Sequence, residues 1–415
     1  MDPQTVFIII ITILVCNYLM ERSLEYINSR KFNDELPDEI KDVYDHERYK
    51  KSQEYKKENY KFSIITSTFG FLIILGMFLF RGFAWADHIA RSISSHPILI
   101  TIVFFGMLMF LFDLVNIPFA VYDTFVIEEK YGFNKTTVRT FILDKIKGWL
   151  LSAVIGGGLL AVIVWIYLRT MNNFWLYAWA VISVFSIFMS MFYSNLIVPL
   201  FNKQTPLDPG ELRDKIMEFS EKAGFRLKNI YVIDGSKRST KANAYFTGLG
   251  SKKRIVLFDT LIQDLEKSEI VAVLAHEIGH YKKKHTLTGL VISIVYTGLI
   301  LFILSLFIGS PVLSEALGTA QPSFHIGLVA FGVLYSPIST ILGLGMNVMS
   351  RKHEYQADRY AGERYEPASL IEALKKLSRK NLSNLTPHPV YVFFHYSHPT
   401  LLQRIRALIS LSLKV

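Results

Sequence analysis

Cysteine is almost missing: Cys16 is the only one in 415 residues. One thiol excludes an intrachain disulfide framework and a cysteine-ligated zinc site, and its place in an apolar run excludes a cytosolic thiol active site. No internal repeat and no low-complexity run is evident, which excludes a solenoid. The opening "MDPQTVF" has no basic stretch ahead of its apolar residues and no small-residue cleavage site after them. The first apolar segment therefore reads as a retained span and not as a signal peptide. Basic residues are absent from one further place, 309–325, and that gap helps to orient the chain.

What is present is apolar surface. The chain is 51% hydrophobic with a positive mean hydropathy, too much for an ordinary soluble domain. Seven stretches are long enough, or nearly so, to cross a hydrocarbon core of about 30 Å as helices. They lie near 6–20, 63–80, 97–117, 149–168, 174–198, 288–308 and 326–349. Lysine and arginine alternate between the intervening segments. Segments 21–62, 118–148, 199–287 and 351–415 hold ten, five, sixteen and eleven, whereas 81–96, 169–173 and 309–325 hold two, one and none. The positive-inside rule then places the N-terminus in the lumen or outside and the C-terminus in the cytosol. The net charge of +10 is explained by this topology and by anionic lipid, so no nucleic-acid partner is expected.

Segment 206–287 has a different texture. "DPGELRDKIMEFSEKAGF" places Leu212, Ile216, Phe219 and Ala223 at helical spacing. "KNIYVIDG" and "KRIVLFDT" are β-branched, aromatic-rich runs closed by turn residues, and "ANAYFTGLG" between them is a third strand candidate. "KSEIVAVLAHEIGHYKKKH" reads as a helix with Ser268 as N-cap candidate, Glu269 in its first turn and a basic last turn. Helix, small sheet and metal helix in this order make a minimal zincin-like core. The expected organisation is 1–205 for spans one to five, 206–287 for the catalytic unit, 288–350 for spans six and seven, and 351–415 for a cytosolic tail that completes the unit.

Residues four apart share a helix face. His276 and His280 can thus offer two imidazoles to one zinc ion, with Glu277 beside the open position as general base, taking a proton from the attacking water and returning it to the leaving amine. The competing reading is an exposed helix that happens to carry two histidines. The apolar lead-in "IVAVLA" weakens it, because an idle charged pair there would be costly. No third histidine follows at the metzincin spacing. The candidate third ligand is Glu354 in "SRKHEYQADRYA", with Asp358 one turn on as a support for a ligand histidine. Alternatively, Glu354 and Asp358 pair with Arg351 and Arg359 on a solvated face.

"HEIGH" followed by "HEYQADRYA" resembles the pattern of the CAAX prenyl protease type I family, seven-span zinc metalloproteases of the endoplasmic reticulum and inner nuclear membrane. "FVIEEKYGFNKTT" (125–137), "IVPLFNKQTPL" (197–207), "NAYFTG" (243–248), "KRIVLFDTL" (253–261) and "YSHPTLLQRIRAL" (396–408) extend the resemblance over nearly the whole chain. It implies a polytopic α-helical membrane protein with a zincin-like α+β unit between spans five and six. It also implies a large hydrated chamber with the zinc at its cytosolic end. It implies His276, His280 and Glu354 as ligands of one Zn2+, Glu277 as base and Asp358 as a ligand's support. Asn243 and Ala244, on an edge strand, would align the substrate backbone, which fits the general mode of strand addition. His398 and Arg404 would contact the scissile carbonyl region and the substrate's C-terminal end; without the resemblance they read equally as a helix-cap histidine and a surface arginine. The segment 309–325 is short beside that of some members.

The ligand segments flank membrane spans, with His280 about 12 Å of helix ahead of the sixth and Glu354 about 6 Å beyond the seventh. A water-soluble peptidase has no need of that placement, whereas a prenylated C-terminus lies in the interface. The expected activity is removal of the last three residues of prenylated CaaX proteins, with a second upstream cut in some members. The alternatives are a membrane-protein quality-control zinc protease, and a scaffold or transporter with a structural zinc. An open fourth position argues against the last, since structural sites are usually closed by four protein ligands.

Overall fold

The structure, a computed structural model, describes residues 2–32, 34–225, 230–247 and 254–413. Among these, seven helices have the length and apolarity to cross a membrane. They are α1 (Pro3–Ser29), α2 (His46–Leu79), α4 (Pro97–Tyr122, continued by a π-helical turn to Glu128), α5 with α6 (Val138–Leu151 and Gly157–Thr170, joined by a π-helical turn), α7 (Phe174–Leu196) with the short α8 (Val198–Phe201), α12 (His285–Ser305) and α14 (Phe324–Arg364). Two short helices, α3 (Gly82–Ile93) and α13 (Pro311–Ala316), lie in the links between spans. The expected spans fall on these helices, but the helices run further. Nothing in "SRKHEYQADRYAGER" breaks a helix, so span seven and the ligand-bearing segment form one 41-residue helix. Likewise α12 starts at His285, three residues before the expected span and five after His280.

Contacts between spans run α1 to α2, α2 to the end of α4, α4 to α6, α6 to α7, α7 to α12, α12 to α14 and α14 back to α1, and α14 also meets α4 across this circuit. At the α14 N-terminus, buried His325 contacts Asp87 of α3 at 2.6 Å and Thr101 of α4 at 3.3 Å. That tie lies about 44 Å along the helix from Glu354, at 1.5 Å rise per residue.

The soluble unit follows span five: β1 (Gln204–Pro206), α9 (Glu211–Lys222), β2 (Ile230–Ile233), β3 (Ala244–Thr247), β4 (Arg254–Phe258), α10 (Asp259–Asp264) and α11 (Lys267–Lys282). The sheet order is β1-β2-β4-β3, with β2 and β4 parallel and the outer pairs antiparallel. All three strand candidates are strands. Residues 228–229 of the first, 248–250 of the second and Lys253 of the third lie outside the described residues. β1 had no sequence signal, being three residues ending in proline. It also starts the sheet before position 206. The amphipathic segment forms α9 and buries Ile216 and Phe219.

After α14 the chain adds α15 (Pro367–Lys380), α16 (Pro389–His395) and α17 (Leu401–Ser412). One core joins the sheet and α9 to Ile270, Val271, Leu274 and Ile278 of α11, then to Ala361, Leu370, Ala373, Leu374 and Leu408 of the tail. The unit is therefore closed by residues from the distant C-terminal tail. The α11 start differs from expectation. Its N-cap is Glu266, not Ser268, because Glu266 and Glu269 form a reciprocal capping box that satisfies two amide groups at once. Buried Glu269 also accepts from Lys376 of α15 at 2.7 Å.

Candidate metal centre

α11 presents His276 buried and His280 half-buried, on the face turned to α14. Gly279 lets the two helices approach: a Cβ there would sit 3.1 Å from the Ala357 backbone and the Tyr360 Cβ. From α14, Glu354 is buried against both histidines, with its Oε2 3.4 Å from His276 Nε2 and its Oε1 3.2 Å from His280 Nε2. The two Nε2 atoms are 3.1 Å apart. One ligand atom from each of these three residues lies within 4.8 Å of the others.

The second nitrogen of each ring is engaged on the outer side. His276 Nδ1 is 2.9 Å from Asp358 Oδ1, and Asp358 is gripped by both ends of the Arg404 guanidinium at 2.6 and 2.8 Å. His280 Nδ1 is 3.1 Å from His285 Nδ1. Each ring therefore turns Nε2 toward the common centre. Glu354 Oε2 is buried there with only longer contacts, 3.4 Å to His276 Nε2 and 3.8 Å to Arg404 Nη1, so a closer cation would be favourable. Burial works against charge on His276, but hydrogen bonds to Asp358 and Glu354 outweigh it and push its pKa up to about 9. Two imidazoles and one carboxylate, with positive charge favoured between them, fit a His2Glu zinc set with an open position.

The other expected residues are placed as follows. Glu277 is half-buried and, among the described residues, engages no hydrogen bond or ion pair. His398 has a 61% exposed side chain with Nε2 3.3 Å from Glu354 Oε1, so it stands at the rim of the centre. Arg404 is only 12% exposed and holds Asp358 instead of reaching toward open space. Arg351 donates to the carbonyls of Tyr396 and Val392, and Asp358 pairs with Arg404. The solvated-face alternative for Glu354 and Asp358 is thus absent. Asn243 is exposed and immediately precedes β3, its Oδ1 accepting from the Ala244 amide at 2.8 Å. β3 pairs only with β4, so its other edge is free among the described residues, and it runs next to α11.

Two groups of residues escaped the sequence reading. Near β3, Lys241 donates to Glu128 at 2.7 Å and to the Tyr55 hydroxyl at 3.1 Å, and the Tyr55 hydroxyl donates to Glu128. The neighbouring backbone is stitched by Thr240 N to Phe133 O and Lys135 N to Arg238 O. "FVIEEKYGFNKTT" thereby anchors the lead-in to the edge strand. Beside the metal centre, His285 and Gln356 form a second group. Their only signal was a histidine five positions after His280 and a glutamine inside "HEYQAD".

Residues 25–203 match the family described as CAAX prenyl protease N-terminal, five membrane helices, and residues 206–412 match peptidase family M48. The chain is 36% identical to CAAX prenyl protease 1 of Saccharomyces cerevisiae, over 95% of this chain and 93% of that protein. It is 32% identical to the CAAX prenyl protease 1 homolog of Homo sapiens, over 94% and 92%. The crystal structure of S. mikatae Ste24p superposes with a TM-score of 0.91 at 36% identity, covering 97% of this chain and 98% of that one. A histidine-rich motif set between membrane helices, a carboxylate brought to it from the last span, and likeness along the whole length lead to one conclusion: the chain belongs to the CAAX prenyl protease type I family of M48 metallopeptidases.

Proposed function

We propose that this protein is a zinc endopeptidase that removes the C-terminal three residues of prenylated CaaX proteins at a membrane surface. The observation that carries the reading is the metal centre's place. One ligand helix is joined by a two-residue corner to α12, and the other ligand stands on the continuation of a second span, α14. His276, His280 and Glu354 would hold the zinc ion. Bound there, zinc supplies Lewis-acid polarisation of the scissile carbonyl and a lowered pKa for attacking water. Glu277 would take the proton of that water and deliver it to the departing amine. Asp358, fixed by Arg404, keeps His276 in the tautomer that frees Nε2. The free edge of β3, from Ala244 onward with Asn243 at its start, would receive the substrate as an added strand. His398 at the rim would face the scissile carbonyl region.

The circuit of spans supports a central chamber. α4 and α14 meet near His325, so such a chamber would open between the helices toward the metal end. The basic segments orient the metal end to the cytosol and the tie at His325 to the lumen. That orientation fits an endoplasmic reticulum membrane, and by the same family likeness an inner nuclear one, and it meets prenylated C-termini on the side where they are made. Farnesylated and unmodified CaaX peptides of one sequence, incubated with purified protein with and without a chelator, test the reading. Release of the tripeptide from the farnesylated peptide, abolished by chelator, is expected. Equal cleavage of both peptides would favour a quality-control protease instead.

A further inference from the structure

His280 and His276 are held differently. The outer nitrogen of His276 meets the buried Asp358–Arg404 pair, whereas no carboxylate reaches the outer nitrogen of His280 among the described residues. His285 takes that place, with Nδ1 3.1 Å from His280 Nδ1 and Nε2 2.8 Å from Gln356 Oε1. The corner between α11 and α12 makes this possible. Lys284 adopts left-handed backbone at φ 60°, unusual for a residue with a side chain, and turns His285 back toward the preceding helix. His285 is 7% exposed. The His353 ring lies flat on it, with centroids 4.0 Å apart and planes 9° from parallel, so its plane is fixed as well.

We infer that His285 and Gln356 are positioning residues for the metal centre, forming a two-step hydrogen-bond relay that sets the tautomer and orientation of His280. This rests on the zinc reading above. Ligation through His280 Nε2 requires a lone pair there, so the proton sits on Nδ1. His285 Nδ1 must then accept, which puts the His285 proton on Nε2. The partner of that Nε2 must in turn be an acceptor, so Gln356 presents its oxygen. With the amide reversed, every proton along the line would reverse and His280 would carry hydrogen on the nitrogen facing Glu354. Only one of the two proton arrangements leaves a metal-binding lone pair, and it is the one in which Gln356 turns its oxygen to His285, as it does here.

The test is the zinc affinity of the full-length protein in detergent, measured by competition with a chromogenic chelator, together with the visible spectrum of the cobalt-substituted form. His285→Phe keeps a flat ring against His353 and removes both nitrogens; Gln356→Met keeps length and removes the acceptor. Each should weaken zinc binding by about 10–100-fold, the size typical for loss of a ligand's supporting partner, and should shift the cobalt spectrum. Melting of the metal-free forms should stay at the native value. Gln356→Glu, which restores an acceptor, should regain native affinity. Native affinity in both His285→Phe and Gln356→Met overturns the relay, as does equal loss in Gln356→Glu and Gln356→Met. A native protein that binds no zinc sinks the metal reading and the relay with it, whereas tight native binding indifferent to these substitutions sinks the relay alone.

Discussion

Glu277 and Glu354 are both glutamates near the same centre, yet their surroundings give them different work. Glu354 is buried and faces two imidazoles; Glu277 is half-buried and engages no hydrogen bond or ion pair among the described residues. Glu277→Gln should therefore retain zinc and lose turnover by at least about 10²–10⁴-fold, the range for removing a general base. Single-turnover rates beside metal analysis check it, and near-native turnover would refute the assignment. Glu354→Ala should lower the zinc content of purified protein, since two histidines alone make a poor site. Glu363→Ala, on an exposed face two turns further along α14, should leave zinc unchanged. Equal zinc in both variants would remove Glu354 from the ligand set.

The pairing of α11 with α14 is what converts two local motifs into one site. Both helices carry small residues where they meet, and Gly279 faces the Ala357 backbone with room for no side chain. Gly279→Ala should push the helices apart by a few tenths of an ångström, at a cost of about 1–3 kcal/mol as for other overpacked contacts. Zinc affinity should fall with it, because His280 moves away from Glu354. Gly289→Ala in α12, where an added Cβ meets nothing within 4 Å, serves as the control and should be neutral in both respects. Thermal melting with and without zinc separates the two effects, and a Gly279→Ala protein as stable as the control would show that the contact yields freely.

The molecule as a whole is a circuit of spans with a catalytic unit closed over one end, and its orientation decides which compartment that end meets. Three glycosylation sequons begin at Asn134, Asn381 and Asn384. The segments that carry them pack Phe133, Leu382 and Leu385 into one buried cluster, on the side the basic residues assign to the cytosol. None should carry glycan, while a sequon placed in a suitably extended 309–325 segment should acquire one. A glycosidase-sensitive shift of the natural protein would reverse the topology. Substrate delivery belongs to the same scale. Burying lipid is worth about 0.8 kcal/mol per CH2, so a farnesyl chain gains on the order of 10 kcal/mol on leaving water. Passage from bilayer to an apolar enzyme surface exchanges similar media, so most of that gain cancels. A CaaX peptide tethered by a different lipid of similar length should thus recover a substantial part of the rate lost without farnesyl. Initial rates in liposomes for farnesylated, alkyl-tethered and bare peptides decide this, and a tethered peptide no faster than the bare one would mean that the isoprenoid itself is recognised.

The sequence by itself determined the spans and their number and suggested an orientation, because bilayer thickness and charge bias act on runs of residues without reference to partners. It also singled out His276, Glu277 and His280 as candidates, since one helical turn brings them together. Glu354 and Asp358 were legible as candidates only, for a lone carboxylate helix reads equally as a solvated face until something packs on it. Tertiary structure decided that question by bringing α14 against α11 at Gly279. It also set Arg404 as a clamp on Asp358, joined His285 to Gln356 across 71 positions, and set "FVIEEKYGFNKTT" against the lead-in to β3. Each of those depends on where distant segments meet, and a one-dimensional pattern carries the propensity of a segment but not the identity of its neighbour. The helix boundaries show the same limit in reverse. Apolar length marks where lipid begins and ends, but α2 and α14 continue well past it because their backbone hydrogen bonds need no membrane and find no breaker.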